Sequence, residues 1–363
     1  MLTKAGFLRG RYNPSTYFHP GKRIKTMIHG DDFVSSASRV SLQWLKEVLE
    51  RRFEISTVVV GSRSSEGEVR EAKVLNRVIR IDSVGWRYEA DQRHAELIIQ
   101  TLNLESAKGV KTPGEDEKPW LEAEGQEELA PKEASGYRAL AARANYLALD
   151  RPDIQYAVKE LCRSMSKPTR GDLLKLRRLA RYLVDKPRCV WEFRYQGSCD
   201  ELAGYTDSDW AGCRRTAKST SGGAITRGSH TLKTWSSTQK NITLSSGEAE
   251  LVAMVKMSTE TIGMLQLASE WGIEMKGNIY ADSSAALGVV KRRGCGQMRH
   301  IKIGMLWVQE KHEDGELQYT KVIGTDNPAD LMTKHVPYAI LEKMTNILGQ
   351  RFKDGRAEHS LRL

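Results

Sequence analysis

Apolar positions change their spacing along the chain, and the changes mark out elements. Near the start, Ile24 to Ile28 alternates as a strand does, and Phe33 to Ser35 repeats the pattern after a tight acidic turn at Asp31-Asp32. A helical period follows, with Leu42, Leu45, Leu49 and Phe53 along one face. Gly61 to Ala72 reads as a solvated loop. From Pro113 to Gly136 the periodicity gives way to three prolines and dense acidic charge, so this stretch reads as a linker or long loop.

Helices return after it. One crosses Tyr137 to Leu149, and a second opens at Pro152-Asp153, where proline is tolerated because a first-turn N–H has no intrahelical partner. The third, Thr169 to Asp185, turns Leu173, Leu176, Ala180 and Leu183 inward and leaves Lys175, Arg177, Arg178 and Arg181 outward. That basic face suits a nucleic-acid backbone, or simply water.

From Glu201 the texture becomes β-rich. Leu202–Thr206, Gly222–Thr226 and Thr231–Trp235 predict three strands joined by tight turns. A long helix then runs from Glu248 to Trp271 with Leu251, Val255, Ile262 and Leu265 on a stripe. A strand at Asn278–Ala281, a helix from Ser284, a helix across Met298–Lys311, a strand at Leu317–Val322 and a helix opened by Pro328 complete the order. This predicts a mixed α/β sheet flanked by helices.

Composition narrows the class. Hydrophobic residues make up 40% and charged residues 28%, as in globular proteins, and no apolar run approaches the roughly 20 residues of a spanning helix. The start also lacks the apolar stretch of a secretory signal, so an intracellular location, cytoplasmic or nuclear, is expected rather than secretion. The net charge of +10 favours a polyanionic partner. Cys162, Cys189, Cys199, Cys213 and Cys295 are odd in number and never form a C-x-x-C pair, which argues against a disulfide framework or a zinc site.

Four carboxylates sit at the joints of the C-terminal order. Asp207 closes the first strand, Glu248 opens the long helix, Asp282 ends the fourth strand and Asp330 lies in the first turn after Pro328. Each also has an ordinary structural role. Ser245-Ser246-Gly247-Glu248 fits a capping box, Asp330 suits a helix dipole, and Asp207 and Asp282 suit turns after strands. Asp209 and Glu250, two residues beyond a proposed ligand, read as supporting or surface groups.

The strings around these acids carry more weight than the acids themselves. TDSDWAG, SSGEAEL, ADSSAAL and NPADLMTK, together with KSTSGG and LKTWSSTQKNITLSS between the first two, resemble the ribonuclease H domain of copia-type retrotransposon Pol polyproteins. The resemblance implies a ribonuclease H-like fold and hydrolysis of the RNA strand of an RNA–DNA hybrid. It implies Asp207, Glu248, Asp282 and Asp330 as ligands to two magnesium ions, with manganese a second candidate. Arg214, Arg215 and Lys218 are phosphate-positioning candidates, alongside Arg177, Arg178 and Arg181. His300, in MRHIKIG, also matches a family position, for which proton transfer and a structural contact both stand.

The likeness extends upstream. AGFLRGRYNPSTYFHPGKRIKTMIHGDDFV resembles the reverse-transcriptase segment that ends in a paired-aspartate hairpin, and the helices after the acidic stretch resemble the region beyond the palm. In such polymerases the pair holds metal with a carboxylate from an earlier strand. Thirty residues precede Asp31 here, and His29 stands where the family has an aromatic residue. Asp31 and Asp32 are therefore expected as a vestigial metal pair in a tight turn, without autonomous DNA synthesis, and the upstream reverse-transcriptase portion is an expected partner.

The resulting layout has a partial α+β palm over 1–112, an acidic linker over 113–136 and a helical, thumb-like connection over 137–195. A ribonuclease H-like domain follows over 196–340, and a C-terminal helix with a basic tail over 341–363. A non-catalytic, nucleic-acid-binding remnant is the alternative function.

Overall fold

A computed structural model of the chain describes residues 1–63, 67–116, 125–358 and 360–361. The N-terminal unit is an antiparallel meander of β1 (Leu8–Arg9), β2 (Thr16–His19), β3 (Ile24–His29) and β4 (Asp32–Ser36). Helix α1 (Arg39–Glu50) starts at Ser38, whose side chain accepts from Ser41 N, and buries Leu45 and Leu49 against Ile24 and Phe7. Phe53, expected on the same stripe, lies beyond the helix and is 45% exposed.

Three strands that periodicity did not reveal come next: β5 (Glu71–Val74), β6 (Arg77–Ile81) and β7 (Gly85–Glu89). They are short and rich in charge, and their arginines and glutamates pair across the ladder, as Arg80 does with Glu71 and Glu89. Charged side chains satisfied within a sheet give no apolar alternation to read.

Helices α2 (Arg93–Thr101), α3 (Pro131–Ala148), α4 (Pro152–Arg163) and α5 (Arg170–Asp185) pack around Ile98, Tyr137, Ala144, Ile154, Leu176 and Leu183. Helix α3 starts six residues before the expected Tyr137, because Pro131 serves as a first-turn residue. Helix α5 opens with a capping box between Thr169 and Asp172. Fully buried Arg151 donates to both oxygens of Asp153, at 2.9 and 2.7 Å, and the Tyr182 hydroxyl donates to the same carboxylate. Part of the acidic stretch is packed rather than free, since Leu129 is buried and its N–H donates to Pro168 O. Residues 117–124 of that stretch lie outside the described residues.

Strand β8 (Arg188–Arg194) leads into the C-terminal half. There β9 (Glu201–Asp209), β10 (Thr220–Arg227) and β11 (His230–Thr238) run antiparallel. Helix α6 (Ser246–Glu270) follows, then β12 (Lys276–Ala281), α7 (Ser284–Val290), α8 (Trp307–Glu313) and β13 (Leu317–Lys321). The sheet order is β11-β10-β9-β12-β13, with β12 parallel to both β9 and β13. This mixed order with flanking helices is the ribonuclease H-like arrangement that the resemblance predicts. Helix α6 buries Leu251, Met254 and Met257 against Leu202, Ile225 and Ile279.

Two helical expectations shorten. Residues 298–302 are not helical, and the segment becomes a 3₁₀ turn at Ile303–Leu306 followed by α8. The helix at Pro328 is a five-residue 3₁₀ turn, Pro328–Met332, capped by Asn327, whose side chain accepts from Ala329 N. The C-terminal residues are not a free tail. After α9 (Tyr338–Ile347), β14 (Gln350–Lys353) pairs with β8 in a sheet of order β14-β8-β7-β6-β5. That sheet draws strands from three distant stretches, so the linear boundaries at 112, 195 and 340 do not coincide with sheet boundaries. All five cysteines are free.

Gly222 lets the Pro328–Met332 turn lie on the sheet. A Cβ there would stand 2.6 Å from Thr333 Cγ2 and 2.8 Å from the Ala329 carbonyl oxygen. Gly222→Ala is therefore expected to destabilise the full chain by about 1–3 kcal/mol. A urea midpoint equal to the parent's would show that the turn can move aside at no cost.

Candidate metal centre

Strand pairing sets the first two carboxylates side by side. Tyr205 of β9 is paired with Tyr280 of β12, and the same register carried two residues on brings Asp207 level with Asp282. Parallel neighbours end at the same side of a sheet, so their terminal side chains share one mouth. Asp330 approaches from the 3₁₀ turn. Its placement depends on Asn327, which is fully buried and donates through Nδ2 to Thr206 O at 2.9 Å, one residue before Asp207.

The fourth carboxylate is Glu250, not Glu248. Donor atoms of Asp207, Glu250 and Asp282 all lie within 4.8 Å of one another, the only such group of three or more among the described residues. Glu250 Oε1 accepts from Ser208 N at 3.2 Å, and its Oε2 is buried without a partner. Glu248 turns elsewhere: its Oε2 accepts from Leu244 N at 2.7 Å and meets His300 Nε2 at 3.0 Å, while Glu248 N donates to Ser245 Oγ. Successive helical residues are about 100° apart, so two positions two apart leave from nearly opposite sides. Glu248 thus satisfies a backbone N–H ahead of the helix, that of Leu244 rather than the Ser245 N–H of a capping box, and His300 makes a structural contact to it.

Two further residues complete the surroundings. The Thr333 hydroxyl donates to Asp207 Oδ2, and Lys334 Nζ stands 2.9 Å from Asp330 Oδ1 and 3.8 Å from Asp207 Oδ2. Both lie in the NPADLMTK string. Sequence reasoning used that string for its aspartate alone, although an i, i+4 lysine was visible in it.

The electrostatics follow from crowding. Burial, reinforced by the charges of Asp207 and Asp282, pushes the Glu250 carboxyl up to about 9. Burial and then Asp207 raise Asp330 to about 6, and the same two causes raise Asp282. Lys334 is raised despite its burial, because Asp207, Asp330 and Asp282 surround it. Two like charges 4–5 Å apart repel by roughly 3–4 kcal/mol at an effective dielectric of 20, so the group takes up protons or cations to relieve itself. Carboxylate oxygens, one of them buried and unpartnered, are the donors that hard divalent ions prefer. The residues present fit such an ion.

Other candidates fall apart from this centre. Asp31 and Asp32 lie exposed at the β3–β4 turn, where His29 pairs with Asp32, and belong to no three-member acidic group among the described residues. Arg177 donates to Leu102 O, Arg181 to Lys108 O, and Arg178 to Thr112 Oγ1 while pairing with Glu115. Three of the four basic residues expected on the outer face of α5 are therefore engaged by the 102–115 segment. Arg214 and Arg215 are exposed on the β9–β10 loop, with Lys218 half-buried on the same loop. The two arginines rim a groove of about 410 Å³ that also includes Tyr156, Glu160, Arg163 and His335. Asp209 accepts from Thr220 N on the neighbouring strand, outside the carboxylate group.

The chain is 30% identical over 263 residues, 72% of its length, to the retrovirus-related Pol polyprotein from transposon RE1 of Arabidopsis thaliana. It is 27% identical over 271 residues to the corresponding polyprotein from transposon TNT 1-94 of Nicotiana tabacum. The chain is a relative of retrotransposon Pol polyproteins. It spans 18% and 20% of the lengths of those two relatives. No family model matches this Pol relative. Among solved structures, LC11-RNase H1 in complex with an RNA/DNA hybrid aligns with 36% of the chain and 93% of its own, at 18% identity and a TM-score of 0.27. No helix among the described residues is long and apolar enough to cross a membrane.

A pH dependence follows from the raised carboxyls. The folded, metal-free state holds a proton on Glu250 that the unfolded chain releases above about 4.5, so stability is greatest below that pH and falls as pH rises towards 9. The slope from this one group is at most about 1.4 kcal/mol per pH unit. Thermal unfolding in chelator between pH 5 and 8.5 should show the fall, and Glu250→Gln should flatten it. An equally steep profile in the variant would mean that Glu250 is not the group responsible.

Proposed function

We propose that the chain hydrolyses the RNA strand of RNA–DNA hybrids, inside the cell, as part of a retrotransposon reverse-transcription polyprotein. The observation that carries this reading is the convergence of Asp207, Glu250 and Asp282 within 4.8 Å, with one Glu250 oxygen buried and unpartnered. These three and Asp330 would hold divalent cations, magnesium first and manganese second. Such ions, when bound, supply an activated water and stabilise the departing oxygen of a phosphodiester.

The chain's own groups do the rest. Thr333 fixes the Asp207 carboxylate through its hydroxyl. Lys334, half exposed, balances the negative charge and is long enough to swing out to solvent when a cation enters. Arg214 and Arg215, which rim the groove beside Tyr156 and His335, would meet phosphates and orient a duplex rather than read it. Recognition of RNA over DNA would fall to contacts with the 2′-hydroxyl. The upstream reverse-transcriptase portion remains the proposed protein partner, and Asp31-Asp32 a turn without polymerase function. A second reading, a remnant that binds hybrids without cutting them, has Lys334 in its favour, since its ammonium already lies against Asp207 and Asp330.

The full chain with a labelled hybrid and Mg²⁺ or Mn²⁺ separates these readings. The parent should cut the RNA strand, Asp207→Asn and Glu250→Gln should lose at least about a hundredfold, and Glu248→Gln should keep most of the rate. Binding without cleavage by the parent, across both metals and a range of salt, would favour the second reading. Loss in Glu248→Gln with retention in Glu250→Gln would return the ligand role to the earlier glutamate.

A further inference from the structure

One buried amide touches both elements that carry Asp207 and Glu250. Gln239 follows β11 directly, is 5% exposed, and is held by its own N–H donating to Ser219 O at 2.8 Å. Its side-chain Nε2 lies 3.2 Å from Ser208 Oγ on β9, 3.0 Å from Ser221 Oγ on β10 and 2.8 Å from Ala249 O in the first turn of α6. Ser208 is the residue after Asp207, and Ala249 is the residue before Glu250. Ser221 faces Ser208 across the ladder, beside the Gly222–Asp207 pair.

The orientation of this amide is decided by chemistry. A backbone carbonyl can only accept, so the nitrogen and not the oxygen must face Ala249 O. Gln239 Oε1 is then left buried without a partner, a costly arrangement that a purely space-filling side chain would not need. Among the described residues, the other hydrogen bond that joins α6 to β9 or β10 is that of Ser208 N, which donates to Glu250 Oε1. The strands and the helix are otherwise joined by apolar contacts among Leu202, Ile225, Leu251, Met254, Met257 and Ile279.

We infer that Gln239 is a positioning residue that sets the separation of Asp207 and Glu250, and through it the cation affinity of the site. This rests on the metal-binding reading above. Gln239 touches neither the cation nor the substrate; it holds the neighbours of two ligands at a fixed spacing, and ligand spacing selects the ion.

Gln239→Met in the full chain tests this, because it keeps length and volume while removing the donor. Manganese binding to the metal-free protein is measured by calorimetry, alongside thermal unfolding in chelator and the magnesium dependence of hybrid cleavage. The variant should bind Mn²⁺ about tenfold more weakly and need correspondingly more Mg²⁺, with the rate recovering at saturating metal. Unchanged Mn²⁺ affinity with a lowered unfolding temperature would mark Gln239 as merely structural and overturn the inference. Should Gln239→Met not fold, Ser208→Ala, which removes the acceptor next to Asp207, is read the same way with a smaller expected shift of about threefold. Absence of Mn²⁺ binding in the parent would instead remove the metal-binding reading and this inference with it.

Discussion

Like charge gathered out of water is the constraint on which the C-terminal half is organised. Asp207, Glu250 and Asp282 stand within 4.8 Å of one another, with Asp330 against Asp207. Such a group repels itself, and only a well-packed scaffold holds it together without an ion. Each neighbour is chosen to relieve it in part: Ser208 N, the Thr333 hydroxyl and the Lys334 ammonium all donate to one or more of these oxygens. What they leave unsatisfied is above all Glu250 Oε2, the oxygen that the proposed cation would take up.

The scaffold meets this demand through backbone rather than side-chain bulk. Parallel β9 and β12 end together, so two acids arrive side by side at no extra cost. Gly222 removes the Cβ that would hold the Pro328–Met332 turn away, and Asn327 ties that turn to the strand beside Asp207. Helix α4 also braces the edge of the sheet through Gln155, whose Nε2 reaches Thr234 Oγ1.

The outward basic residues of α5 do not simply face water. Arg177, Arg178 and Arg181 read as an exposed basic face, yet each is bound to the segment that crosses α5. A helix with polar residues on one side looks alike whether that side faces water or a chain whose carbonyls need donors. Lys334 lies against the acids, whereas Arg214 and Arg215, on the β9–β10 loop, rim the groove beside Tyr156 and His335.

The sequence by itself determined the order of the main strands and helices between residues 201 and 322, because apolar alternation and period are local properties of the string. It also placed Asp207, Asp282 and Asp330 at element ends, and the Asp31-Asp32 turn. It did not determine which glutamate of SSGEAEL turns inward. The large aliphatics Leu251, Val255, Ile262 and Leu265 define a stripe that includes Glu248, whereas Glu250 shares its side with Met254, Met257 and Thr261. Both stripes are apolar enough to bury, since α6 is covered on two sides, and only the sheet's position decides between them. The same holds for β5–β8 and β14, whose charged residues find partners only once strands from residues 71, 188 and 350 have come together. Contacts of that reach are made by the folded chain, and nothing within a short window of residues encodes them.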